Sequence, residues 1–336
     1  MATDEVGSSS ARRRHKHGHR AICAAIEAGE VDKVFELLET GEASLNKGGK
    51  KGTTPLHFAC RRNILAEEAE WQADNNQDDS GCDERSAVLI IQALLANGAD
   101  IDELDNDGRT PLVVALEWSC SPKIRHAIAL IDAGANLEIR WGDSINAETA
   151  VSLAVDIGDV DLWKAIIRRK AELDVSNGSG TMPLGFAAAN DRVDLIELLV
   201  EGGANPSARV AHDDEYDHEY GPMTPILIAC GNLQLRAARS LLEKYVDADD
   251  TTLGDGDTCL HLVAEDLRPR PGRSVERLET AADLVELLLK WDADETVKNG
   301  AHQTPAELAG VGHLVGTPGP HDEQQLWGCP AGSCFS

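Results

Sequence analysis

One short phrase occurs seven times along the chain, and this recurrence limits the architectures that the sequence can adopt. The phrase first appears as TTPLHFA at residues 53–59. Its later copies are RTPLVVA (109–115), ETAVSLA (148–154), TMPLGFA (181–187), MTPILIA (223–229), DTCLHLV (257–263) and QTPAELA (303–309). A second phrase, such as LLANGAD at 94–100, follows each of the first six copies. Because chance rarely repeats two phrases in a fixed order, the chain is predicted to be an array of similar units.

Each unit carries local signals for two helices. Thr54 and Thr110 precede proline, and a threonine at such a place caps the first turn of a helix through its hydroxyl. Pro55 then occupies the first helical position, where its missing N–H costs nothing. Glycines such as Gly98 and Gly203 suit the left-handed residue that ends the second helix. We therefore expect a turn followed by two antiparallel helices in each unit.

These phrases resemble the ankyrin repeat, whose signature is T-P-L-H-x-A in a unit of about 33 residues. The resemblance covers roughly residues 20–310. It implies an all-α ankyrin-repeat solenoid of about seven repeats plus a C-terminal fragment, with helix-turn-helix units joined by hairpin fingers. We expect residues 1–19 to form a disordered basic arm, residues 20–310 the repeat domain, and residues 311–336 a flexible tail rich in Gly, Pro and Cys.

Extra residues lie between some of the recurring phrases. Measured against the period of about 33 residues, insertions fall near 61–86, 206–222 and 267–279. The first and third lie between the two helices of one repeat, whereas the second lies in a turn between repeats, where fingers project. The third contains DLRPRPGRSVERLET, for which a solvated connector is favoured over a recognition segment.

The net charge limits the class of partner. The chain has 31 Lys and Arg against 58 Asp and Glu, a formal charge of -27. Such a polyanion repels phosphate, so we expect a partner protein with a basic surface and no direct binding of nucleic acid. The eight cysteines form no C-x-x-C pair, and no stretch has the length and apolarity of a signal sequence or membrane span. We therefore expect an intracellular protein of the cytoplasm, with the nucleus as a further location, and without membrane insertion.

The histidines are the first candidates for chemistry. His57 and His261 occupy the histidine place of T-P-L-H, where the ring serves the turn by local hydrogen bonding, so no catalytic role is expected. His212 and His218 lie among carboxylates in VAHDDEYDHEYGP, but a surface loop lacks the rigid surround of a metal site. The run RRRHKHGHR at 12–20 is interpreted as a plain basic arm. Nuclear import is its alternative function, and loose metal binding a weaker one.

Sequence signals for enzymes and cofactors are missing. We find no phosphate-cradling loop, no G-x-S-x-G elbow, no H-E-x-x-H helix and no kinase H-R-D. The acidic turn at 103–114 fails the calcium pattern, because Val114 stands where a glutamate is needed. Cys60 and Cys230 fall at small-residue packing positions, which predicts buried inert thiols. The sequence predicts a non-enzymatic protein with no cofactor.

The predicted function is a protein-protein interaction module, an adaptor or scaffold that binds through a concave surface and finger loops. A nuclear or signalling regulator that sequesters or inhibits a partner is the alternative, and a metal-dependent activity at the His212/His218 loop is the outsider. The oligomeric state stays open. An exposed aromatic in a finger can anchor a partner, whereas Trp163 is expected to pack inside. The candidate contact residues are Asp105, Asn106, Asp107, Arg140, Trp141, Asp143, Tyr216 and Tyr220.

Overall fold

The fold is known from a computed structural model that describes part of the chain. It covers residues 18–311 and 314, apart from 42, 47, 50, 62–79, 118–123, 142–147, 178–179, 210–222, 245, 269–273 and 312–313, and apart from the side chains of 80–84. In this part every regular element is a helix, and β pairing is limited to isolated antiparallel bridges, Trp141 to Glu148 and Thr251 to Thr258. The expected all-α class is confirmed.

The helices that the structure describes alternate as first and second helices of successive repeats, as predicted. Numbered in chain order, they are α1 (18–27), α2 (Val31–Glu39), α3 (Pro55–Cys60), α4 (Ser80–Ala96), α5 (Pro111–Glu117), α6 (Ile124–Ala133), α7 (Ala150–Ile157), α8 (Val160–Arg168), α9 (Pro183–Ala189), α10 (Val193–Glu201), α11 (Pro225–Gly231), α12 (Leu235–Lys244), α13 (Cys259–Leu267), α14 (Val275–Lys290) and α15 (Pro305–Ala309).

The chain divides into two compact units, Met1–Glu172 and Leu173–Ser336. In the first unit, first helices stack on first helices (α3 on α5, α5 on α7), and second helices on second helices (α2 on α4, α4 on α6, α6 on α8). In the second unit, α9, α11, α13 and α15 form one such layer, and α10, α12 and α14 form the other. Each repeat therefore buries its apolar faces mainly against its neighbours within the unit, as in a solenoid.

Side-chain caps explain where the first helices begin. Thr54 Oγ1 accepts a hydrogen bond from the backbone N–H of His57 at 3.4 Å, and His57 Nδ1 accepts from the N–H of Thr54 at 3.2 Å. Thr110 Oγ1 accepts from the N–H of Val113 at 3.2 Å. Reciprocal capping also occurs at Thr149, Thr258 and Thr304. The predicted threonine caps are confirmed at these positions, and each satisfies backbone donors that a helix start leaves free.

Left-handed residues explain where the second helices end. Gly98 has a φ of 85° and Gly203 a φ of 107°, a region that glycine enters without a steric penalty. Lys170 and Asp292 stand at the equivalent places and adopt φ values of 55° and 61° although they carry side chains. The predicted role of the glycines is confirmed. The repeat imposes the same left-handed conformation on Lys170 and Asp292, which costs backbone strain because both residues carry a side chain.

The core consists of aliphatic side chains that point between the two helix layers of each unit. In the first unit it includes Leu56, Ile91 and Ile166, each at most 1% exposed. Trp163 is also fully buried, which confirms its predicted packing role. Burial of one such aliphatic side chain contributes about 1.5–3 kcal/mol, so the stacking of neighbouring repeats supplies most of the stability that a short helix lacks alone.

The structure extends the fold at several predicted boundaries. Residues 18 and 19, assigned to the arm, lie in α1, and Leu314, assigned to the tail, is buried. In the third insertion, residues 275–279 belong to α14 and are largely exposed, so this part of the expected solvated connector is helical. The helix starts there because Ser274 Oγ caps it by accepting from the N–H of Arg277 at 3.4 Å. Residues 62–79 and 210–222 of the other insertions lie outside the described residues.

Candidate functional site

Two buried histidines connect consecutive repeats. His57 Nε2 lies 3.0 Å from the carbonyl oxygen of Arg109, and His261 Nε2 lies 2.9 Å from that of Gln303. In each case Nδ1 accepts the N–H of the capping threonine, so Nε2 is the nitrogen that donates. Burial lowers the pKa of His57 below its usual value despite the backbone bond. These contacts confirm the predicted structural role of both histidines.

In four of the fingers that the structure describes, one polar residue closes the hairpin at its base. The side chains of these residues accept a backbone N–H from the far side of the hairpin, over 2.8–3.1 Å, and each is at most 8% exposed. They are Asp105, Asn177, Thr252 and Asn299. The hairpins are thus held by buried hydrogen bonds, which fix the direction in which their exposed residues point.

Asp105 is the charged member of this set, and Arg109 compensates its charge. The guanidinium donates to Asp105 Oδ2 from Nε at 3.0 Å and from Nη2 at 2.8 Å, and it also contacts Asp107 and Glu117. Burial acts to raise the pKa of Asp105, but the hydrogen bonds and charge of Arg109 outweigh it and hold the pKa below its usual value. The predicted contact residue Asp105 has a side chain with 0% exposure, and we correct its role to support of the finger.

The other predicted contact residues have different environments. Asn106, Asp107 and Arg140 are exposed, in agreement with their expected position on fingers. Trp141 is half-buried, not exposed as expected, since its backbone pairs with Glu148 and its Nε1 is enclosed. Asp143, Tyr216 and Tyr220 lie outside the described residues, as do His212 and His218 of the loop considered for a metal ion.

The sequence reasoning missed two exposed leucines on the fingers. Leu104 is 49% exposed in the first unit, and Leu253 is 63% exposed in the second. Each stands next to the polar residue that closes its hairpin. The available signal in the sequence was an apolar residue in a turn between helices, because a projecting hairpin offers its side chain little to pack against.

A groove crosses three repeats of the second unit. Its volume is about 680 Å³, and its lining includes one aliphatic residue from each of the first helices, Ile228 of α11, Leu262 of α13 and Leu308 of α15. Asp255 and Asp257, from the finger that precedes α13, line it as well. We call this feature the three-repeat groove. It combines an apolar floor with carboxylates.

The second helices are followed by a row of hydrogen bonds that joins repeats. A side-chain oxygen at one position of a repeat accepts the backbone N–H of a residue at a second position, two residues earlier in register, in the next repeat, over 2.8–3.0 Å. The donor and acceptor pairs are Asp100 to Asn46, Asn136 to Asp102, Asn205 to Asp174 and Asp294 to Asp249. These bonds join neighbouring repeats directly after their second helices, and they fix the spacing between the repeats there.

Several known proteins are similar to the chain, although no protein-family model matches it. Ankyrin repeat and SAM domain-containing protein 6 of Danio rerio is 30% identical over 120 residues, 35% of this chain and 16% of the relative. Ankyrin repeat domain-containing protein SAT10 of Stachybotrys chartarum is 25% identical over 280 residues, which cover 73% of this chain and 14% of the relative. B-cell lymphoma 3 protein homolog of Mus musculus is 27% identical over 216 residues, which cover 59% of this chain and 45% of the relative. The chain spans less than half the length of each.

The capped helix pairs and these relatives, two of which are named for ankyrin repeats, decide the family. The chain belongs to the ankyrin repeat family. Among solved structures, the crystal structure of the ankyrin repeat domain of Bcl-3, described as a unique member of the IkappaB protein family, is 18% identical with a TM-score of 0.43, and the match covers 86% of this chain and 92% of that one. As an ankyrin repeat domain, the chain is a protein-interaction module.

The thiols of this ankyrin domain that the structure describes are buried. Cys23, Cys60, Cys230 and Cys259 are all enclosed, as predicted for Cys60 and Cys230. Burial is the main cause that raises the pKa of Cys23 to about 12, with a contribution from Glu27. Burial also raises the pKa of Cys60. The enclosed position of all four is that of packing residues, and the raised pKa of Cys23 and Cys60 makes these two thiols poor nucleophiles.

No group of three or more His, Cys, Asp or Glu among the described residues is arranged to hold a metal ion. The ring of His19, a residue of the basic arm, lies 3.7 Å from Cys23 Sγ and 3.5 Å from the carbonyl oxygen of Ser44. No helix in the described ranges has the length and apolarity to cross a membrane.

Proposed function

We propose that the chain is a non-enzymatic adaptor or scaffold that binds a partner protein through its first helices and finger loops. The observation that carries this proposal is the exposure of Leu104 and Leu253 on hairpins whose bases are fixed by Asp105 and Thr252. A rigid exposed apolar side chain loses little entropy when a partner covers it. Such residues act as anchors, and the carboxylates beside them form a charged rim.

The excess of carboxylates supports a partner with a basic surface. Asp107 is exposed beside Leu104, and Asp255 is exposed near Leu253, so the same fingers offer apolar area and negative charge. Complementary charge speeds association and discriminates against acidic competitors. We place Asn106 and Arg140 in the contact surface too, and we keep Tyr216 and Tyr220 as candidates.

A pull-down from the native cell tests this function. Wild-type chain and a chain lacking residues 211–220 are compared with the double variant Leu104→Ser/Leu253→Ser. We expect wild type to capture specific proteins and at least one of the two variants to lose them. Leu89→Ser is the matched control, because Leu89 is 50% exposed on α4 rather than on a finger. Capture that is equal for all four chains would contradict the proposed surface.

The alternative function is a nuclear regulator that sequesters a partner, and it depends on the basic arm at 12–20. Imaging of a fluorescent fusion tests it: an import signal predicts nuclear accumulation that is lost when residues 12–17 are deleted. The deletion stops before α1, which begins at residue 18 and packs in the fold. An unchanged distribution would contradict the import signal and leave the cytoplasmic adaptor as the proposed function.

A further inference from the structure

The three-repeat groove has a chemistry that defines the segment it can hold. We propose that it binds a short extended segment of the partner protein in which an arginine or lysine stands beside an aliphatic residue. The basic side chain lies against Asp255 and Asp257, and the aliphatic side chain lies on Ile228, Leu262 and Leu308. The inference rests on the proposed function and names the kind of partner that this site takes.

The apolar part of the three-repeat groove is formed by the same position in successive first helices. Ile228, Leu262 and Leu308 occupy one equivalent position in three successive first helices, and all three are partly exposed to the groove. Helices that pack side by side lie about 8–10 Å apart. The three side chains therefore form a row about 20 Å long, which an extended chain with a rise of about 3.3 Å per residue spans in roughly six residues.

The charged side follows from the pairing of the carboxylates that line the groove. Asp266 is held by Arg277 at 2.8 Å and 3.0 Å, and Glu265 is held by Arg268 at 3.1 Å. Among the residues that the structure describes, Asp255 has no partner in an ion pair, and the carboxylate of Asp257 accepts a hydrogen bond from the neutral amide of Asn299, at 2.7 Å. Neither carboxylate of this wall is therefore paired with a cationic side chain that the structure describes, and both can pair with a cation from another molecule.

The position of these two carboxylates gives the site selectivity. The hairpin that carries them is closed by Thr252, whose hydroxyl accepts the N–H of Asp257 at 3.0 Å, and the carbonyl of Asp255 accepts the N–H of Gly300 from the next finger. The wall is therefore fixed before a ligand arrives. An acidic segment meets uncompensated repulsion there, whereas a purely apolar segment leaves the carboxylates partly desolvated without a partner.

Selection from a phage-displayed library of random heptapeptides on the immobilised full-length chain tests the inference. We expect enrichment of peptides that place Arg or Lys next to Leu, Ile, Val or Met. An enriched peptide, synthesised and labelled, should bind Asp255→Lys and Leu262→Ser at least tenfold more weakly than wild type by fluorescence anisotropy. Its affinity should also fall with rising salt, because the charged contact is screened.

Two control variants match the changes in charge and apolar area. Asp283→Lys alters an exposed carboxylate of α14 outside the groove lining, and Leu89→Ser removes an exposed leucine in the first unit; both should bind within twofold of wild type. Selection without basic residues, or equal affinity of Asp255→Lys and Asp283→Lys, overturns the inference. If the native partner is captured equally by wild type and Asp255→Lys, the proposed function stands and the groove assignment fails.

Discussion

The Nε2 atom of His57 lies 3.0 Å from the carbonyl oxygen of Arg109, so a ring that caps one helix also ties its repeat to the next. We expect His57→Ala to lower the free energy of unfolding by about 2 kcal/mol, since it removes the reciprocal cap and leaves a buried carbonyl without its donor. His57→Gln, which retains a capping side chain, should lose less. Urea unfolding followed by circular dichroism measures both, and equal losses would contradict the capping argument.

The same histidine gives stability a pH dependence. Burial places the pKa of folded His57 below the value of about 6.5 of the unfolded chain. As pH falls through about 6.5, the unfolded state takes up a proton that the folded state does not, so stability decreases towards the folded pKa. The test is the difference in urea midpoint between wild type and His57→Gln from pH 7.5 to 5. A difference that stays constant over this range would contradict the expected contribution.

Arg109 is predicted to matter mainly because Asp105 is buried. Arg109→Leu leaves a buried carboxylate without its partner and should destabilise the first unit by about 3 kcal/mol. Adding Asp105→Asn should restore much of this loss, since Asn177 and Asn299 close equivalent hairpins with an amide. A double-mutant cycle in urea measures the coupling. Additive losses would show that the charge of Asp105 is not what Arg109 compensates.

Gly98 and Lys170 both end second helices, and substitutions at these equivalent places are predicted to change stability in opposite directions. Gly98→Ala forces a side chain into a φ of 85° and should cost about 1 kcal/mol, although nothing crowds the new methyl group. Lys170→Gly relieves the same strain at a φ of 55° and should stabilise by up to about 1 kcal/mol. Thermal unfolding of the two variants beside wild type should shift in opposite directions. Shifts of the same sign would be inconsistent with a backbone cause.

Buried thiols should resist alkylation while the chain is folded. Cys23, Cys60, Cys230 and Cys259 are enclosed, and the raised pKa of Cys23, about 12, leaves little thiolate at neutral pH. Brief treatment with iodoacetamide at pH 7.5, followed by peptide mass spectrometry, should leave these four unmodified, whereas treatment in 8 M urea at roughly the same pH should modify them all. Rapid native labelling of any of them would point to local opening of its helix.

The sequence predicted those features that the repeat dictates locally. Thr54, Pro55 and Gly98 determine where helices start and stop through their own backbone chemistry, so their roles could be inferred without coordinates. The burial of Asp105 could not be inferred from its charge, because it depends on Arg109 folding back across the hairpin.

The groove and the start of α14 depend on contacts between segments. Arg277 binds Asp266 of the preceding helix, and this pairing helps an inserted stretch rich in Arg and Pro become helical from Val275 onward. No local sequence pattern predicts that Arg277 pairs with Asp266. The three-repeat groove likewise arises only when Ile228, Leu262 and Leu308 are stacked, although each taken alone is an ordinary apolar residue of a short helix.

The row of hydrogen bonds between repeats has a consequence for how such a chain can change in length. Asp100 binds Asn46 through the same pair of positions by which Asn136 binds Asp102. Removal or duplication of a segment that begins and ends at equivalent positions therefore brings an acceptor and a donor of the same kind together again. The joint needs no newly invented contact, so a gene encoding such repeats can gain or lose one in a single recombination event and still produce neighbours that recognise each other.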